Sequence, residues 1–256
     1  MPIYVAIILG LIQGLTEFLP VSSSGHLILA QYLFNLPEDM LLFNIILHVA
    51  TLLAVLIVFR LRIWQLVRHP FNKTNLALVL ATIVTVSLVL IFKDIIDRTF
   101  TARVLPITFF ITAIILFATT FVRENPNQNT DDAELEITKK SALATGLAQA
   151  IAVVPGFSRS GFTIATALAT GTKRQAAAEF SFLMSIPIII GALVLELVSG
   201  PVSSDIEIFP LVIAFLVALV SGVFAIKFML RIVRRIKLYW FSLYLVILAI
   251  VTVFVI

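Results

Sequence analysis

Six stretches, near residues 41–59, 76–92, 104–122, 180–198, 208–230 and 238–256, run almost without charge. Each approaches the roughly 20 residues that a helix needs to cross a bilayer. The rest of the chain cannot hide that much apolar surface. Of 256 residues, 61% are hydrophobic and 12% charged, with 14 acids against 18 bases. A soluble domain carries about twice that share of charge. A mean hydropathy of +1.12 agrees, so the chain reads as an integral membrane protein of one domain, residues 1–256. No period-2 alternation runs through the apolar stretches, which excludes a β-barrel reading and leaves an all-α one. Cysteine is absent, so disulfides, zinc–thiolate sites and cysteine nucleophiles are excluded. The net charge of +4 does not point to nucleic acid, because the basic residues sit in short loops between apolar runs. Residues 3–12 are apolar, but no base precedes them and no small-x-small site follows, so no signal peptide is expected.

Two further apolar segments, about 3–34 and 141–170, are broken in the middle. The first break reads Pro20-Val21-Ser22-Ser23-Ser24-Gly25-His26 and the second Pro155-Gly156-Phe157-Ser158-Arg159-Ser160-Gly161. Irregular backbone survives at membrane depth only inside protein or against a wet cavity, so both segments are expected to be re-entrant helix hairpins. Arg60, Arg62, Arg68 and Lys73, and again Arg231, Arg234, Arg235 and Lys237, occur without an acid, which puts both loops in the cytoplasm. Loop 123–140, with Arg123, Lys139 and Lys140, and the Lys173–Arg174 pair follow them inside. Asp205 and Glu207 then lie outside, as do both termini. An offset of 136 aligns Leu11, Gln13 and Leu15 with Leu147, Gln149 and Ile151, and Ser22, Ser24 and Gly25 with Ser158, Ser160 and Gly161. One hairpin plus three spans in each half makes an inverted repeat, residues 1–136 and 137–256, whose broken helices meet near the midplane.

The residues at these breaks carry the chemistry. Gln13 and Glu17, four apart, share a helix face, and an acid at bilayer depth is functional by default. Arg159 presents a rigid fork suited to phosphate oxygens. With Ser158, Ser160, Gly156 and Gly161 around it, the second break reads as a phosphate cradle. A purely structural Glu17–Arg159 ion pair is the alternative. His26 follows three serines and Gly25 at an expected helix start, where anions are welcome. Asn44 and His48 share a face, Glu179 and Ser181 open a later span, and each suits helix glue as well as function. His69, beside Pro70, reads as a loop residue. Trp64, Tyr239 and Trp240 suit interfacial belts.

The stretch Gln13-Gly-Leu-Thr-Glu17-Phe-Leu-Pro-Val-Ser-Ser-Ser-Gly-His26 resembles the (E/Q)xxxE motif and serine-rich loop of the undecaprenyl-diphosphate phosphatases, also called bacitracin-resistance proteins. Pro155-Gly-Phe-Ser-Arg-Ser-Gly161 resembles that family's PGxSRSG signature. The resemblance runs the length of the chain. It implies an interdigitated inverted repeat in the bacterial plasma membrane with its site open to the outer face. It also implies a divalent metal such as Mg²⁺ or Ca²⁺, and hydrolysis of a C55 isoprenyl diphosphate to the monophosphate, which recycles the carrier for cell-wall synthesis. Glu17, Ser23, His26 and Arg159 would be the catalytic residues, with Glu17 toward the metal. Gln13, Ser22, Ser24, Gly25, Ser158, Ser160 and Gly161 would line the substrate. Gln13 stands where many members carry Glu, so a carboxylate pair is not available. Asn44 stands where an acid is expected in many members.

Chemically, Arg159 would hold phosphate oxygens, Glu17 bind a cation or activate the attacking group, and His26 move protons; Ser23 suits either a covalent nucleophile or a phosphate ligand. The partners are a polyprenyl diphosphate lipid and the membrane, and a homodimer is admitted. The rival is a secondary transporter or flippase of an anionic lipid, which shares this architecture. Loop charge makes a direct prediction. A cysteine placed at Ser203 reacts with an impermeant maleimide in intact cells, and one placed at Gln65 does not; the reverse pattern would invert the topology.

Overall fold

The computed structural model describes residues 1–37, 40–99, 101–122, 137–199 and 207–256, and every regular element among them is helical. Ser203 and most of the 123–140 loop lie outside the described residues. In chain order the helices are α1 (Ile3–Thr16), α2 (Ser23–Leu33), α3 (Leu41–Val58), α4 (Arg60–Arg68), α5 (Lys73–Ile91), α6 (Lys93–Asp97), α7 (Leu105–Ala118), α8 (Lys139–Ile151), α9 (Arg159–Ala169), α10 (Arg174–Ser199), α11 (Ile208–Ile232) and α12 (Tyr239–Val255). Short 3₁₀ turns flank α7.

Four helical stretches, Lys73–Ile91, Ala102–Phe121, Arg174–Leu195 and Ile208–Ile232, are long and apolar enough to cross a membrane. The bent pair formed by α3 and α4 makes a fifth if counted as one span. The chain is therefore a multi-pass, all-helical membrane protein. At 17 residues, α12 is shorter than those four.

Helix α4 lies where the basic loop was expected. No proline interrupts 60–69, so the chain continues as a helix and turns 75° away from α3 instead of unwinding. Leu66 is buried beneath it, while Leu61, Trp64 and Val67 face outward among the arginines, and the Arg68 guanidinium covers the Trp64 ring at 4.8 Å. That suits a helix lying in an interface.

Both broken segments are helix–turn–helix, as their prolines and glycines require. The turns are Glu17–Ser22 and Ala152–Ser158, each ending earlier than the sequence motifs suggest. The reason is capping. The Ser22 hydroxyl accepts from the Gly25 N–H and the Ser158 hydroxyl from the Gly161 N–H, both at 3.1 Å, so a serine closes each turn and opens the next helix. Arg159 is consequently the first residue of α9 rather than a loop residue, and Ser23 the first of α2. At 1.5 Å per residue the 14 residues of α1 and 11 of α2 reach about 21 and 16 Å, short of a bilayer core of about 30 Å.

Helix α1 packs along α11, α8 along α5, α12 along α7, and α3 along α11. Small residues let the backbones approach, which is how helices associate where no hydrophobic effect drives them together. A Cβ on Gly10 would come to 2.5 Å from the Ala214 carbonyl oxygen, and one on Gly146 to 2.7 Å from that of Ala81. Buried threonines bond to carbonyls one turn back, among them Thr85 to Ala81 at 2.9 Å and Thr112 to Thr108 at 2.8 Å, so no hydroxyl there is stranded in hydrocarbon. Phe18, Phe43, Phe109, Phe180 and Phe182 fill the interior, with Phe18 edge-on to Phe182 at 5.4 Å.

Two polar contacts fix which ends lie together. The Met1 ammonium is 3.6 Å from Glu207. Arg174 donates to the Ile236 carbonyl at 3.2 Å. The N-terminus therefore shares a side with Glu207 at the start of α11, and the start of α10 shares one with the 231–237 turn, the pairing that loop charge demanded.

Close packing at Gly10 predicts that Gly10→Val destabilises the fold by about 1–3 kcal/mol, the usual cost of overpacking. Gly191→Ala, whose Cβ meets nothing within 4 Å, leaves it unchanged. Thermal unfolding of the two variants in detergent measures the difference.

Candidate functional site

The two breaks meet. Glu17, first residue of the first turn, is 6% exposed and receives a charge-assisted hydrogen bond on Oε1 from Arg159 Nη2. Its other oxygen accepts from the Ser23 hydroxyl at 2.5 Å and from the Gln13 amide at 3.1 Å. The imidazole Nε2 of His48, on α3, lies 3.8 Å from the same oxygen. One carboxylate thus gathers groups from α1, α2, α3 and α9. A lone charge at this depth would be prohibitive; paired with a guanidinium and hydrogen-bonded at both oxygens it persists.

Backbone and serine contacts stitch the same two turns. Ser160 Oγ donates to the Leu19 carbonyl at 3.0 Å, and the Gly156 N–H donates to Ser24 Oγ at 3.4 Å. Ser158 Oγ lies 3.3 Å from Ser160 Oγ, and the Ser158 N–H reaches Thr112 Oγ1 at 3.4 Å. Gly25 and Gly156 sit where nothing larger fits. A Cβ on Gly25 would fall 2.5 Å from the Phe109 ring and 3.0 Å from Gly156 Cα, and Gly156 itself has φ +86. Ser22 also holds positive φ, 70, tolerated because its hydroxyl caps α2. The first turns of α2 and α9 therefore start beside the same carboxylate, and helix N-termini attract anions.

Every residue expected at the site from sequence is at or beside this junction except in one respect. His26 does not bond to Glu17, Ser23 or Arg159. Its Nδ1 is 2.7 Å from the Ser22 carbonyl oxygen and its Nε2 2.6 Å from the Tyr244 hydroxyl on α12, with the two rings nearly parallel at 5.7 Å. His48 is at the carboxylate. Asn44 bonds instead to Gln31 at 2.7 Å, Ser181 pairs with Thr163 at 2.6 Å, and Glu179 with Gln175 at 2.7 Å.

Two neighbours were missed. Thr51 accepts from the Gln13 amide at 3.4 Å, and nothing in its apolar surroundings marks it. Tyr244 carried a usable signal: it lies more than a turn deeper than the Tyr239–Trp240 belt, where a phenol needs a polar partner.

Gln13 is fully buried and its Oε1 has no partner. The described residues hold no group of three acids or histidines able to form a protein-only cation cage. The Gln13 nitrogen faces Glu17 and its oxygen is unclaimed; with the carboxylate it makes a pair of oxygen donors that would suit a hard cation only if a phosphate supplied the remaining ligands.

Residues 6–251 match the family model described as bacitracin resistance protein BacA. The chain belongs to that family. Its relatives carry one name. A protein of Carboxydothermus hydrogenoformans called undecaprenyl-diphosphatase is 44% identical over 96% of this chain and 94% of its own length. Undecaprenyl-diphosphatases of Treponema denticola and Bacteroides fragilis are 40% and 38% identical, over 96% and 98% of this chain and 94% and 97% of theirs. Family membership covers both breaks and all the helices that bring them together.

Two substitutions weigh the carboxylate and its fork. Glu17→Gln keeps shape but removes charge, and turnover falls a hundredfold or more, the size typical of losing a general base. Arg159→Lys keeps charge but loses the planar fork, and most activity goes with it. Near-parental rates of lipid diphosphate hydrolysis in either variant would move that role elsewhere.

Proposed function

We propose that this protein hydrolyses undecaprenyl diphosphate to undecaprenyl phosphate and inorganic phosphate, recycling a lipid carrier for cell-wall synthesis and conferring bacitracin resistance. The observation that carries the reading is the meeting of Ser23, Glu17 and Arg159, drawn from two breaks far apart in sequence. The 37–44% identity to proteins named undecaprenyl-diphosphatase supplies the substrate.

The Ser23 hydroxyl already donates to Glu17, the arrangement of a nucleophile and its base. Ser23 Oγ attacks the terminal phosphorus, its proton passes to Glu17, the bond to the bridging oxygen breaks, and Glu17 hands that proton to the departing lipid monophosphate, so that it is a carboxylate again. Water then attacks the phosphoserine, gives a proton to Glu17, and inorganic phosphate leaves as Ser23 recovers its hydrogen. Arg159 orients Glu17 and turns its remaining N–H donors to the equatorial oxygens, where charge develops. Glu17 and Gln13 Oε1 would hold a divalent cation, Mg²⁺ or Ca²⁺, shared with the diphosphate. When bound, such an ion neutralises phosphate charge.

The finer architecture belongs to the same proposal: two inverted halves, two re-entrant hairpins, about six spans, and a site open to the outer face of the bacterial cell membrane. Support comes from paired features of the two halves. Gly10 and Gly146 stand 136 residues apart, the offset that also relates Gln13 to Gln149. The α1–α11 and α8–α5 contacts that they permit are related by exchange of the halves.

Purified protein in detergent, given a C55 or C15 isoprenyl diphosphate, is expected to release inorganic phosphate. A carrier of anionic lipid would release none. Gln13→Glu keeps the reaction but changes its Mg²⁺ dependence, because a second carboxylate then faces the shared cation. An unchanged Mg²⁺ dependence in that variant would remove Gln13 from the cation site.

A further inference from the structure

His26 is held by two partners of unlike kind. The Ser22 carbonyl oxygen, 2.7 Å from Nδ1, can only accept, so Nδ1 carries the hydrogen. A neutral imidazole then has its lone pair on Nε2, and the Tyr244 hydroxyl 2.6 Å away donates to it. The two rings lie 6° from parallel with their centroids 5.7 Å apart. On the third side the Phe109 ring meets the imidazole edge-on at 5.8 Å. Among the described residues no ion pair reaches His26, and the ionisable group hydrogen-bonded to it is Tyr244. Tyr244 is 44% exposed, so it stands between His26 and the outside of the helix bundle.

We propose that Tyr244 is a positioning residue of the hydrolytic site, holding the His26 ring, whose tautomer the Ser22 carbonyl sets, with its Nε2 turned toward α12. The proposal rests on the phosphatase reading for its effect on turnover, though not for the pairing itself. Ser22 is the cap of α2 and Ser23 the first residue beyond it, so the ring that bonds the Ser22 carbonyl also steadies the turn from which Ser23 projects. Through this hydroxyl α12 gains a hydrogen-bonded hold on α2. Without it, Nε2 loses its partner and the ring is free to change rotamer.

Tyr244→Phe keeps the ring and removes the bond. Turnover is expected to fall about tenfold with KM within twofold, and the limb of the pH–rate profile that disappears in His26→Gln is expected to shift. In the His26→Gln background, Tyr244→Phe is expected to change turnover by less than twofold, because its partner is already gone. Multiplying effects in the double variant, or an unshifted profile in Tyr244→Phe, would sink the proposal. Nitrogen-15 spectra of histidine-labelled protein, with His26 assigned by His26→Gln, read the tautomer directly. The Nδ1–H form is expected in the parent, and in Tyr244→Phe the Nε2 resonance is expected to move to that of an imidazole nitrogen without a hydrogen-bond donor. An Nε2–H form in the parent, or no change in the variant, would overturn the pairing. If the parent releases no phosphate, the phosphatase reading fails, and the spectra alone decide the pairing.

Discussion

A single ion pair at membrane depth organises this molecule. Glu17 and Arg159 lie in separate halves of the chain, and neither charge is tolerable there alone. To bring them together, two helix–turn–helix segments must meet at their turns, and each turn must satisfy its buried backbone within the protein. Much of the rest follows. Serines cap the restarting helices, glycines let the turns touch, and threonines turn inward to carbonyls. The long helices behind them serve as a wall that keeps the junction fixed.

The same pair explains why the site is reactive as well as stable. A carboxylate used only for structure would have its oxygens consumed by the guanidinium. Here Arg159 engages one oxygen, and the other faces a serine hydroxyl, an amide and an imidazole. The charge is balanced across the first oxygen and its chemistry remains available at the second. The Gln13 amide shows the same economy, its nitrogen committed and its oxygen unclaimed.

Much of this was legible in residue order, for physical reasons. Lipid forbids unsatisfied backbone, so a Pro-Val-Ser-Ser-Ser-Gly run inside an apolar segment had to be a functional break, and an acid four residues after Gln13 had to face inward. In the sequence a Glu17–Arg159 ion pair stands only as the structural alternative to a phosphate-holding fork, and the structure shows the two paired. What remained hidden depends on tertiary direction. Ser22 and Ser158 act as caps, and that moved Ser23 and Arg159 from loop into helix. His26 turns to Tyr244, a contact spanning most of the chain and set by how α12 leans on α2. The bend at Arg60 was hidden because basic residues read as loop whether or not they are helical.

The half-length of the broken helices bears on how reactant and products travel. An 11-residue helix is about 16 Å long, about half of a bilayer core, so the hairpins proposed above would put the junction near the middle of the hydrocarbon. A diphosphate must therefore sink below the headgroup plane to be cleaved, while its isoprenoid tail stays dissolved in the surrounding acyl chains. After cleavage the two products want opposite solvents. Inorganic phosphate has to climb out along a wet route, whereas the monophosphate lipid slides sideways between helices. A catalyst built this way needs two doors, and the order in which they open sets how quickly it is ready for the next molecule.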